Sequence, residues 1–191
     1  FGSLFPITLA QSLILSFLAL GIMLPFRVLN FADMTCEGSF PLGGCIFVAL
    51  TVAGWSPLFA AAAALVGGFV VGCATAYIHL RFKINTLLAG LLIMTMLYSV
   101  NLLIMGRSNV SIFGKSTFYQ WAVMGGGVDT PGAKIAVAGV LAVAVLLAAQ
   151  LYFKTERGIA MRSVGANPAM AEAQGIDVWR ATIAGVGLAN A

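Results

Sequence analysis

Charge is what this chain has least of. Asp, Glu, Lys and Arg make up 8% of its 191 residues, against 61% hydrophobic residues. Soluble domains carry about 25% charged residues. So few charges cannot cover a water-facing surface, because apolar side chains would be left exposed. The mean hydropathy of +1.02 argues the same way. There is one histidine, His79, so a histidine metal site or a catalytic triad has no second member. It reads as an interfacial side chain beside the basic turn Arg81-Phe82-Lys83. The cysteines, Cys36, Cys45 and Cys73, are odd in number and lie in or beside apolar runs, which implies neither a disulfide framework nor a metal site. The basic residues stand singly, without the stripe that nucleic-acid binding needs. Gly114-Lys115-Ser116-Thr117 looks like the end of a phosphate-binding loop, but Asn109 stands where its first glycine belongs. The chain therefore has no nucleotide site or cofactor of its own. No nucleophile–base or metal constellation is present, which argues against an enzyme.

What the chain does have is a series of apolar runs. They predict membrane spans over about 4–24, 40–54, 58–80, 84–105, 133–153 and 178–191. The last run is about 21 Å long as a helix, short of the roughly 30 Å a crossing needs, so this span is expected to be incomplete. Pro6 is tolerated in the opening turn of the first span, and Pro25 and Arg27 close it. Ser39 is expected to cap a second helix starting at Phe40, with Pro41 in its first turn. Gly68 and Gly72, four apart, let helix backbones approach closely without naming a partner. The connection over 106–132 carries Tyr119 and Trp121, which suit a membrane interface. One side of the membrane receives Arg27, Arg81, Lys83, Lys154, Arg157, Arg162 and Arg180, and the other receives Arg107, Lys115 and Lys134. The excess places the first side in the cytoplasm. The fold class expected is an all-α polytopic transmembrane helix bundle with a discontinuous second helix.

Two polar stretches interrupt this apolar chain. In Arg27–Ser39, an ionised carboxylate at membrane depth would cost about 2.5–3.5 kcal/mol on insertion scales, so its presence there suggests function. Asp33 and Glu37 are four apart and would share a face if the stretch were helical. Either they and Asn30 line a polar path or brace a broken helix, with Arg27 as a partner, or the stretch is a solvated cytoplasmic loop. The second stretch is 154–177. Asn167 reads as a helix N-cap, with Pro168 in the first helical position, where its missing N–H costs nothing. Gly175 is placed to end that helix in a left-handed conformation, and Asp177 to cap the final span. The result is a short helix across the cytoplasmic face. Met170, Ala171, Ala173 and Ile176 give it a flat apolar surface, suited to a groove on another protein or to the lipid interface.

At these two stretches the sequence resembles a known family. Leu29-Asn30-Phe31-Ala32-Asp33, followed by Glu37-Gly38-Ser39-Phe40-Pro41-Leu42-Gly43, is similar to the early polar motif of importer permeases of the branched-chain amino-acid and ribose type. Thr155-Glu156-Arg157-Gly158, then Arg162, Gly165, Asn167, Ala171, Gly175 and Ile176, is similar to their cytoplasmic coupling segment. The resemblance implies a permease of an ATP-binding-cassette importer in the bacterial inner membrane. It implies a pair of permeases, identical or sister subunits, around a central path. Two ATPase subunits would hold the ATP, and an extracytoplasmic binding protein would deliver the solute. It places a translocation path at Asn30, Phe31, Asp33, Thr35, Glu37 and Gly38. It makes 167–176 the coupling helix, with Arg157, Gly158, Arg162, Asn167, Pro168, Met170, Ala171, Gly175 and Ile176 serving the ATPase. Amino-acid permeases of the type form carry His-Gly after Asn-Phe-Ala, whereas Asp33-Met34 stands here. That version looks like a subfamily proposed to import tryptophan, tyrosine or related compounds. A sugar or nucleoside cargo, or a secondary transporter using Asp33 and Glu37 as proton or cation sites, are the alternatives.

Overall fold

A computed structural model describes residues 4–106 and 131–191. The described residues form eight α-helices: α1 (Leu4–Leu29), α2 (Cys36–Val52), α3 (Pro57–Phe82), α4 (Thr86–Met105), α5 (Pro131–Lys154), α6 (Glu156–Ala166), α7 (Pro168–Ala173) and α8 (Val178–Asn190). Neither strand nor sheet occurs among them. Most of the predicted 106–132 connection, with Tyr119, Trp121 and the Gly114–Thr117 run, lies outside the described residues.

Four of these helices contain stretches long and apolar enough to cross a membrane: Thr8–Leu29, Pro57–Phe82, Thr86–Met105 and Ile135–Lys154. Their outward faces are apolar, with Leu103 84%, Val140 69% and Leu151 65% exposed. An apolar exterior of this kind suits lipid as its solvent.

Helix ends follow local chemistry. Ser56 accepts the Phe59 N–H at 3.4 Å, with Pro57 at the first helical position of α3. The Asn85 side chain accepts the Leu87 N–H at 3.0 Å to open α4. Pro25 does not close α1, which continues to Leu29 with Pro25 inside it. The helix ends at Asn30, whose φ of 51° is left-handed, and the Phe31 N–H reaches back to the Pro25 carbonyl at 3.1 Å.

Small residues set the packing. At Gly72 an added Cβ would lie 2.5 Å from the Val186 carbonyl and 2.9 Å from the Gly187 Cα, and at Gly68 it would run into the Asn190 carbonyl. Gly68 and Gly72 thus bring α3 against α8. The two run antiparallel, with Tyr77 against Trp179 at one end and Gly68 against Asn190 at the other. At Gly21 a Cβ would meet the Ala189 carbonyl at 3.0 Å, and at Gly185 it would meet Leu29 at 2.5 Å, so α1 also lies along α8. Gly38 of α2 sits against Met94 and Leu97 of α4, next to a cluster of Leu42, Ile93 and Leu97. α1 and α3 run opposite to α8, and α6 joins the end of α5 to the Val28–Leu29 end of α1, so Arg27, Arg81, Lys83, Lys154 and Arg180 gather at one end.

Candidate functional site

The chain between α1 and α2, residues 30–35, lies outside both helices, and only its last two carbonyls, Met34 and Thr35, accept bonds from the first turn of α2. Alternate residues of it are nonetheless buried: Phe31 is 3% exposed, Asp33 2% and Thr35 0%. Phe31 packs with Ala76 and Val186, and its ring meets His79 edge-on at 5.1 Å. Thr75 lies seven residues before the end of α3, which puts this segment about 10 Å inside that end of the bundle. Irregular backbone at such depth survives only where its polar groups find protein partners.

Asp33 supplies much of that satisfaction. Its Oδ1 accepts the Thr35 N–H at 2.8 Å. Its Oδ2 accepts the Asn190 Nδ2–H at 2.6 Å and, more weakly, the Cys36 thiol at 3.9 Å. Each of these contacts comes from a donor. Among the described residues Asp33 has no ion pair. Asn190 is saturated too: Nδ2 also donates to the Val186 carbonyl at 3.0 Å, and Oδ1 accepts the Ser39 hydroxyl at 2.8 Å. The Thr75 hydroxyl donates to the Val71 carbonyl at 3.1 Å, which leaves its oxygen to accept the Thr35 hydroxyl at 3.0 Å. Gly90 of α4 closes the far side, since a Cβ there would lie 2.9 Å from the Met34 nitrogen. The segment is thus clamped by α3, α4 and α8.

This geometry revises several expectations. α2 starts at Cys36, before the predicted Phe40, because Asp33 holds the Thr35 N–H and the Met34 and Thr35 carbonyls accept the next N–H groups. Ser39 is therefore inside the helix as a donor to Asn190, and Pro41 lies beyond the first turn. Asp33 and Glu37 do not share a face: Asp33 precedes the helix and points inward, and Glu37 is exposed. Asn30 is exposed as well, whereas Phe31, Thr35 and Gly38 are packed in the interior. The six residues predicted to line one path do not share a surface. Arg27 is exposed and makes no ion pair with Asp33 or Glu37 among the described residues.

At the basic end, α6 follows α5 directly, capped by Thr155, which accepts the Gly158 N–H at 3.4 Å. Gly158 is buried against the backbone of Tyr152 and Phe153. Gly165 is wedged against Val28 and Leu29 of α1. Arg157 is exposed, and the Arg162 guanidinium lies over the Phe153 ring at 5.4 Å. Asn167 then accepts the Met170 N–H at 3.1 Å, with Pro168 in the first turn of α7. Gly175, at φ 82°, ends the turn in the left-handed region that favours glycine, while the Ile176 N–H bonds to the Ala171 carbonyl at 3.0 Å. Asp177 accepts the Arg180 N–H at 3.1 Å and pairs with its side chain at 3.0 Å, opening α8. The expected flat apolar face is split. Met170 is 63% exposed, but Ala171 is 1% exposed and faces the bundle, and Ile176 is half-buried.

Residues 5–190 match the family described as branched-chain amino acid transport system / permease component. The chain belongs to that permease family. This permease is 36% identical over 182 residues to the tyrosine transport system permease protein of Clostridioides difficile (strain R20291), covering 95% of this chain and 59% of that relative. It is 39% identical over 110 residues to an uncharacterized protein of Rickettsia prowazekii (strain Madrid E), covering 57% of this chain and 38% of that protein. It thus spans well short of the full length of either. No solved structure matches it. Family and apolar helices together make it a multi-pass membrane protein.

Several residues of the permease's polar knot escaped the sequence reading: Asn190, Thr75, and Ser39 as a donor. Thr75 and Asn190 are polar residues within apolar runs, which is the signal that could have singled them out. Helix α6 was also unexpected within 154–177, where the glycines at 158 and 165 obscure a helical pattern.

Proposed function

We propose that this chain is the membrane-spanning permease of an ATP-binding-cassette uptake system in a bacterial inner membrane, moving an amino acid or a related small solute. The similar tyrosine permease supports an aromatic amino acid as the solute class. ATP is bound by two ATPase subunits, not by this chain. A second permease copy or sister subunit completes the path, and an extracytoplasmic binding protein delivers the solute.

The observation that carries this reading is α7. It is short, capped at both ends, held between α6 and α8 at the basic end, and it presents Met170 outward. An exposed apolar side chain on a rigid, capped turn suits a groove on a partner protein. Movement of that partner would press on α7, and α8 follows it directly in the chain. Arg157 and Arg162 flank this contact and orient the segment.

The test uses the full permease with its ATPases and binding protein. Met170→Glu puts a charge on the docking face without touching the buried Ala171. Uptake and ATPase copurification should both fall by at least about tenfold, equivalent to roughly 1.4 kcal/mol of binding. Normal uptake in the absence of any copurifying ATPase would instead indicate a secondary transporter.

A further inference from the structure

We propose that Asn190 is a positioning residue, the joint through which α8 holds and moves the broken segment 30–35 during transport. The proposal rests on the permease reading above and assigns the link between its docking end and its interior.

The link is continuous in the structure. α7 leads through 174–177 into α8, along which Asn190 lies about 18 Å from Val178. Asp177 fixes the start of α8 through its bond to the Arg180 N–H and its ion pair with Arg180. At the far end, Asn190 is 8% exposed and spends its side-chain amide on Ser39, Asp33 and Val186. A helix transmits displacement along its axis because its backbone bonds hold it rigid. Segment 30–35 lacks that ladder, so it follows whatever its side chains grip. The bond from Asn190 to Asp33 is the shortest described contact of that segment, at 2.6 Å. Asp33 in turn holds the Thr35 N–H, and with it the first turn of α2. Displacement at α7 thus reaches the start of α2 through two side chains.

The donor pattern also gives the joint a direction that a swap can test. In Asp33→Asn, an NH₂ group can face the Asn190 NH₂ group, donor against donor. In Asn190→Asp, two carboxylates face each other. The double variant Asp33→Asn with Asn190→Asp again places one amide against one carboxylate, losing the second donation to the Val186 carbonyl and the weak acceptance from the Cys36 thiol.

The experiment reconstitutes the full permease with its ATPases and binding protein in liposomes, and measures ATP hydrolysed per solute taken up. Each single variant should assemble and hydrolyse ATP, yet raise that ratio about fivefold or more, the size of a modest coupling free energy. The double variant should return to within about threefold of the native ratio. Unchanged ratios in the single variants overturn the joint, provided native uptake is ATP-driven. Loss of assembly and ATPase activity in the single variants, without recovery in the swap, also overturns it, since that marks a purely structural role. Absence of ATP-driven uptake in the native complex overturns the permease reading, and the joint with it.

Discussion

At the scale of single residues, the cost of breaking the polar knot depends on what is left unpaired. Thr75→Val removes one hydroxyl and leaves the Thr35 hydroxyl without its acceptor at 3.0 Å. Neutral interhelical bonds of this kind contribute about 0.6 kcal/mol on average in membrane proteins, so a small loss is expected. Asp33→Ala is different. It strands the Thr35 N–H and one Asn190 N–H in the buried interior. Each orphaned buried donor costs about 1–3 kcal/mol, so this variant should be destabilised several-fold more than Thr75→Val. Thermal unfolding of the purified permease in detergent measures both. Equal losses would mean that Asp33 contributes no more than an ordinary hydroxyl pair. Substituting Ser39 by Ala should fall between them, because Asn190 then loses one acceptor contact and keeps its two donations.

At the scale of helices, the glycines divide into those another backbone leans on and those facing open space. Gly72→Ala puts a methyl group 2.5 Å from the Val186 carbonyl, so α3 and α8 must separate, at about 1–3 kcal/mol for overpacking. Gly139, about a third of the way along α5, has nothing within 4 Å of an added Cβ. Gly139→Ala should therefore be neutral, or stabilising by about 0.5–1 kcal/mol through helix propensity. A shared response of the two variants in an unfolding assay would contradict the α3–α8 packing. The same contrast shows what the sequence could reveal. The caps at Asn167 and Asp177, the stop at Gly175 and the apolar runs were legible, because each depends on residues within one turn. The start of α2 was not. Ser39 and Pro41 are good local start signals, and they were overridden by Asp33, whose carboxylate is fixed by an asparagine 157 residues away. The partner of Gly68 and Gly72 was equally hidden, since close approach can be read from one helix but its neighbour cannot. The inward turn of Ala171 depends on how the whole of α7 rests on the bundle.

At the scale of the whole molecule, the described residues gather basic side chains at one end of the permease. Arg27, Arg81, Lys83, Lys154, Arg157, Arg162 and Arg180 are gathered with α6 and α7, and basic residues concentrate on the cytoplasmic side of membrane proteins. If α7 is to meet an ATPase, Met170 must be reachable from the cytoplasm alone. Met170→Cys turns that requirement into a measurement. The native cysteines interfere little: Cys36 and Cys45 are buried, Cys73 is half-buried, and all three lie within helices of the bundle. In right-side-out membrane vesicles, a charged maleimide that cannot cross the bilayer should leave Met170→Cys unlabelled. In inside-out vesicles it should label the position fully, because the native side chain is 63% exposed. Adding the ATPase subunits should then protect the cysteine, since a docked groove excludes the reagent. Labelling from the outer face would reverse the topology and remove α7 from the reach of any ATP-driven partner. Labelling from the inner face without protection would leave the topology intact and move the docking contact elsewhere on the basic end, with exposed Arg157 and Ile159 of α6 the next positions to scan.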